Sequence, residues 1–229
     1  SDVCSSDLVM KCKVLSIVLI VALFSCSPAR FIKPLEKNQK AVMAHLGGPL
    51  INFSGIPMPI PFSSIGFGYG LRDRLTVYSA WHTTSALFGN WQQEFGISFE
   101  PLSYRFPIKC SFQTGVQGIQ GFRMIRVLQA YPTLDLNIYR ELPKISGIIY
   151  FSQRSWFNLY ALKAHGESRS NVIVSGWHLG FQKNTPKYKH QIEWGWIMPQ
   201  SPNQPNVVKF IGLKGQGALS IQYSITHCF

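Results

Sequence analysis

The sequence predicts an all-β fold: a small antiparallel up-and-down transmembrane β-barrel of about ten strands. Three observations predict it. After residue 38 the apolar residues recur with period two, not with the 3.6 of a helix. The polar positions of that alternation are filled by Gly, Ser and Gln more than by the Lys and Glu of a water-facing sheet. Short and long connections also alternate along the chain, as they do when both ends of a barrel lie on one side of the membrane. Eight or twelve strands fit as well, because residues 140–160 are poorly patterned.

Residues 1–9 read as a non-native extension, since SDVCSSDL resembles a translated sequencing adapter, and Met10 is the expected initiator. Residues 10–25 have the form of a signal peptide. Lys11 and Lys13 precede the apolar run Val14–Phe24, which is too short for the ~20 residues of a spanning helix. The run ends in Leu23-Phe24-Ser25-Cys26, which resembles the lipobox of bacterial lipoproteins. That resemblance implies cleavage before Cys26 and lipidation of it, palmitate being among the acyl chains expected, and the absence of Asp at position 27 implies no retention at the inner membrane. Residues 26–38 are then expected to be a tether, and residues 39–229 the barrel domain.

Within the barrel the strands are expected at 39–48, 61–71, 75–83, 90–99, 107–117, 127–140, 145–158, 171–182, 187–198 and 218–229. The last is the cleanest. Leu219, Ile221, Tyr223, Ile225, His227 and Phe229 alternate with Ser220, Gln222, Ser224, Thr226 and Cys228 over the ~9–11 residues of a tilted membrane strand. Its Tyr223, Ile225 and terminal Phe229 resemble the signal read by the bacterial barrel-assembly machinery. Together with the lipobox this resembles a bacterial outer-membrane β-barrel protein, and it implies that address, with lipoprotein-processing and barrel-assembly machinery as partners. Trp81, Trp91, Trp177, Trp194 and Trp196 suit interfacial girdles. Gly66, Gly68 and Gly70 precede no helix, so they form no phosphate loop and instead leave room for large side chains across the lumen.

Removing residues 1–25 takes away Lys11, Lys13, Asp2 and Asp7, so the mature chain keeps the net charge of +12. For an exported protein this points to outer-membrane lipids and lipopolysaccharide phosphate. No basic run or nucleic-acid module supports a nucleic-acid partner. Cys110 and Cys228 are placed on opposite faces of separated strands, so neither a disulfide nor a metal site is expected, and no cofactor motif is present.

Alternation directs Tyr78, His82, Glu94, Lys109, Asp135, His178 and Glu193 into the lumen, with His45 and Lys189. A ten-stranded barrel is narrow, so these groups are expected to fill and cross-link it as a polar network. His82 and Glu94 flank one hairpin and form the sharpest pair: a structural ion pair, or half of an acid–base apparatus. Some outer-membrane lipid A deacylases carry His-x-Ser on one strand face; here that position is Thr84. His165, in a long connection, is expected to be solvated.

The expected function is therefore a non-enzymatic outer-membrane barrel lipoprotein, structural or a narrow conduit or binder for small solutes. The alternatives are a membrane-embedded lipid or lipopolysaccharide hydrolase using His82 and Glu94, and a periplasm-facing soluble β-sandwich held only by the lipid on Cys26.

Overall fold

The structure is a computed structural model that describes residues 30–101, 107–122, 128–160, 172–203 and 209–229. Its strands are β1 (Lys40–Phe53), β2 (Ile56–Pro59), β3 (Ser63–Arg72), β4 (Leu75–Trp81), β5 (Asn90–Phe99), β6 (Lys109–Gly121), β7 (Gln129–Leu142), β8 (Gly147–Phe157), β9 (Ile173–Asn184), β10 (Tyr188–Pro202) and β11 (Gln216–Cys228). From β3 onward each strand pairs antiparallel with the next, and β1 lies between β3 and β11. The seam between β1 and β11 runs from Ala41 opposite Cys228 to Pro49 opposite Ser220. The sheet is thus a closed ring and not a sandwich, and closure removes its edges.

Ten strands make the wall, because β2 pairs only with the outer end of β1, from Leu50 opposite Pro59 to Phe53 opposite Ile56. Residues 49–60, expected as a loop, are largely this hairpin. Ser54 (φ 52°) and Gly55 (φ 88°) both adopt the left-handed region that a tight two-residue turn needs, and the Gly55 amide donates to Asn52 Oδ1 at 2.8 Å. The prolines of β2 sit on a strand with one free edge, where a missing N–H is tolerated. The β4–β5 connection, expected as a plain loop, contains a short helix α1 (Thr83–Leu87).

Alternation sorts the wall residues as a membrane requires. Phe67, Phe95, Leu134, Phe151, Leu179, Ile192 and Ile221 are exposed, whereas Gln92, Ser111, Gln113, Asn137, Ser152, Gln191 and Gln222 are buried. A water-soluble barrel has the opposite arrangement; this one is apolar outside and polar within. Aromatic pairs bracket the band: Trp81 with Trp91 and Trp177 with Trp196 at the long-loop end, Phe99 on Phe112 and Tyr188 on His227 at the other. From Tyr188 to Trp196 the band is about 20 Å tall at ~3.3 Å per residue and a tilt of ~40°. Tyr223 and Phe229 are exposed on this outer face and Ile225 is half-buried on it.

The stretch expected as a tether behaves otherwise. Cys26 lies outside the described residues, but residues 30–36 run inside the barrel. Arg30, Phe31, Ile32 and Leu35 are all at most 5% exposed. A solvated linker would not place three large apolar side chains in succession around Pro34, and here they find an interior to fill. The chain leaves the lumen at Lys37, whose amide donates to Asp73 Oδ1 at 3.1 Å, and reverses at Asn38 (φ 66°) into β1. Asparagine tolerates that left-handed conformation better than most residues.

Candidate functional site

The lumen divides into two levels. Near the short-turn mouth it is apolar and built around the N-terminal segment. Ile32 packs with Tyr139, Ile148 and Tyr150, while Phe31 and Leu35 pack with Ala41, Met43 and Tyr78. Phe31 and Tyr78 rings meet at 6.2 Å between centroids. The glycine track of β3 makes this possible. A Cβ at Gly68 would collide with the Phe31 ring, and one at Gly70 with the Glu36 carbonyl. The side chains for which these glycines leave room come from a segment outside the wall.

The wall also grips the segment's backbone. Ser98 Oγ and Gln113 Nε2 both donate to the Phe31 carbonyl at 2.9 Å. Ser111 Oγ donates to the Ile32 carbonyl at 2.5 Å, and the Leu35 amide donates to Thr76 Oγ1 at 2.7 Å. The Arg30 amide approaches Gln113 Oε1 at 3.4 Å. Main-chain groups withdrawn from water must find such partners, and inward Ser, Thr and Gln side chains of β4, β5 and β6 supply them.

Farther in, the lumen is charged. Arg30 reaches Glu94 Oε2 through Nη2 at 2.9 Å and Nε at 3.3 Å, and Nη1 donates to Ser64 Oγ at 2.9 Å. His82 Nε2 lies 3.5 Å from the same carboxylate oxygen and 3.3 Å from Gln117 Nε2. A second cluster stands on the opposite wall. Arg154 Nη2 meets Glu193 Oε2 at 2.5 Å, and Tyr150 donates to that oxygen at 2.9 Å. His178 Nδ1 lies 3.2 Å from Glu193 Oε1, and Asp135 Oδ2 lies 3.8 Å from Arg154 Nε. Each cluster has one arginine, one glutamate and one histidine, almost wholly withdrawn from water, and the second adds Asp135.

The residues singled out from the sequence distribute over this arrangement. Tyr78 lines the apolar level; His82 and Glu94 belong to one cluster, and Asp135, His178 and Glu193 to the other. Lys109 stands on the inward face at the short-turn mouth, partly exposed, 3.2 Å from Glu141, which Lys33 also pairs at 2.9 Å. Its position as the first residue of β6 lets the long side chain reach water. His45 is buried with Nδ1 3.3 Å from Ser224 Oγ, and His165 lies outside the described residues. Sequence reasoning missed Arg30 and Arg154, the two cations that balance the buried carboxylates.

As chemistry, the His82–Glu94 pair is a poor acid–base apparatus, because the carboxylate oxygen facing the imidazole is also the one that holds Arg30. The Thr84 hydroxyl donates to the Pro61 carbonyl at 3.1 Å and lies 2.8 Å from Ser63 Oγ, so it too is engaged structurally. Among the described residues no three His, Cys, Asp or Glu side chains converge as a metal site requires.

No family model and no curated protein matches the chain. Among solved structures it is similar to an outer membrane channel from Pseudomonas putida F1, at 11% identity and a TM-score of 0.46, covering 89% of this chain and 100% of that one. It is similar to the NanC porin at 8% identity and a TM-score of 0.44, covering 82% of this chain and 98% of that one. It is also similar to the translocator domain of the autotransporter NalP from Neisseria meningitidis, at 8% identity and a TM-score of 0.43, covering 100% of this chain and 98% of that one.

Proposed function

We propose that the chain is a non-enzymatic outer-membrane barrel lipoprotein, a wall element or narrow solute conduit whose lumen is held shut by its own N-terminal segment. The observation that carries this is the occupancy of the lumen by residues 30–36, locked by Arg30 on Glu94 within an apolar-coated barrel. A lumen filled by an apolar level and two paired charge clusters has no continuous aqueous path at rest. Lipidation at Cys26 and insertion guided by Tyr223, Ile225 and Phe229 belong to the same reading.

Charge distribution supports an anionic lipid partner. Lys37, Lys40, Arg72, Arg74, Arg140, Lys144, Lys183 and Lys187 gather at the short-turn end, with Glu36, Asp73, Glu100 and Glu141 as the acidic residues of that rim among the described residues. On the periplasmic side they face the phosphates of inner-leaflet phospholipid, and the lipopolysaccharide expected from net charge alone is left to the long-loop end.

Planar-bilayer conductance of the purified, heat-modifiable protein tests the closed conduit. The intact chain should be silent or nearly so, and Arg30→Ala should raise the frequency of openings. Equal, steady conductance of both would contradict closure by the segment; silence of both would leave a purely structural barrel.

A further inference from the structure

We infer that the inner wall of the short-turn half is a peptide-binding site, and that residues 30–36 are its tethered ligand. The site takes a short bent peptide carrying an arginine followed by an aromatic and an aliphatic residue. This goes beyond barrier function and does not require that the barrel ever conduct.

The argument rests on how the segment is held. Any buried plug must have its main chain satisfied, so recognition requires side-chain selection as well. Here the wall reads the segment's main chain: Ser98 and Gln113 on the Phe31 carbonyl, Ser111 on the Ile32 carbonyl, Thr76 on the Leu35 amide. Main-chain hydrogen bonds fix the register of a bound peptide, while side-chain pockets choose among sequences, a division of labour common in peptide recognition. Three pockets make the choice. Glu94 and Ser64 take the guanidinium through both of its terminal nitrogens, a fork that lysine cannot reproduce. The notch over Gly68, closed by Tyr78, takes the aromatic ring. Tyr139, Ile148 and Tyr150 take the branched aliphatic side chain.

The groups that hold Arg30, Phe31 and the main chain sit on β3 to β6 and the Ile32 pocket on β7 and β8; the Glu94 cluster takes its arginine from the segment, whereas the Arg154 cluster completes itself from wall strands alone. One charge cluster is thus self-sufficient and the other is completed by the segment. A peptide of the same pattern presented in trans meets the same donors, acceptors and notches.

The test uses the full-length chain, with a specific protease site inserted between the exposed Lys37 and Asn38 and cut after folding. The probe is the synthetic peptide of residues 30–37, N-acetylated and fluorescently labelled on its last lysine. The cut barrel, checked for heat-modifiable mobility, should exchange its own segment for the probe saturably and with one-to-one stoichiometry, while the uncut barrel takes up none. A probe with alanine for Arg30 should bind at least tenfold more weakly, and Glu94→Gln in the barrel should weaken the native probe far more than the alanine probe. Release of the native segment with no probe uptake by the folded barrel would overturn the proposal. Equal binding of a scrambled peptide of the same composition would overturn it too, because it would show burial without recognition. A conductance result of either kind leaves these outcomes unchanged, so failure of the conduit reading and failure of the peptide site are separable.

Discussion

Arg154 and Arg30 each face a glutamate and a histidine inside one lumen, yet they arrive by different routes. Arg154 projects from β8 and meets Glu193 of β10, which His178 of β9 also approaches, three neighbouring strands joined by ladder hydrogen bonds. Arg30 belongs to no strand; it is carried to Glu94 and His82 by a segment that enters through the mouth. The first cluster cannot come apart without parting the wall. The second separates if residues 30–36 slide out, with each strand pair intact. Similar chemistry therefore serves two purposes: a rivet in one half and a removable latch in the other.

The largest expected effect comes from the rivet. Arg154→Ala leaves Glu193 and Asp135 in the interior without their guanidinium, and losing one partner of a buried pair costs about 3–5 kcal/mol. Denaturant unfolding of the refolded barrel should show that loss with little change in slope, since the surface exposed on unfolding is similar. Arg30→Ala should cost less, about 1–3 kcal/mol, because the segment can withdraw and let water reach Glu94. Adding Glu94→Gln should restore part of the loss, while the same glutamine at Glu193 added to Arg154→Ala should still leave Asp135 beside an empty place. Equal costs for the two arginines, or no rescue at Glu94, would erase the distinction between rivet and latch.

How much of this was legible follows from what alternation can encode. A period of two says which face a side chain takes, so strands such as 90–99 and 187–198, and the inward setting of His82, Glu94, His178 and Glu193, could be read directly. It says nothing about residues outside strands, so 26–38 read as a tether although Arg30-Phe31-Ile32-Lys33-Pro34-Leu35 is too apolar for a solvated linker. That excess was the available signal. Arg154 hid for another reason: the aromatic and serine content of β8 blurs the contrast between Ile148, Tyr150, Ser152 and Arg154 within and Ile149, Phe151 and Gln153 without. The β1–β2 hairpin was missed because its prolines argue against a strand unless an edge is available. A partner brought by a segment outside the wall, such as Arg30 on Glu94, cannot be counted along the sequence, whereas Asp135 and Arg154 face each other across the β7–β8 hairpin.

The smallest effect separates gripping from filling. Ser111 Oγ donates to the Ile32 carbonyl and also lies 3.2 Å from Asn137 Nδ2, which can donate to it, and Ser152 in turn donates to Asn137 Oδ1. The segment's main chain is therefore tied to a relay of inward side chains on β6, β7 and β8, which leads away from the latch toward the Arg154 side of the lumen. Ser111→Ala removes one buried donor and should cost about 1 kcal/mol. That is too little to unfold the barrel. If the relay grips the segment, the loss should fall on the segment's own opening, and a thiol-reactive probe should label an Ile32→Cys reporter roughly fivefold faster at the same global stability. If packing alone holds it, the labelling rate should stay as it was, and the apolar level around Ile32 and Phe31 would be the whole of the restraint.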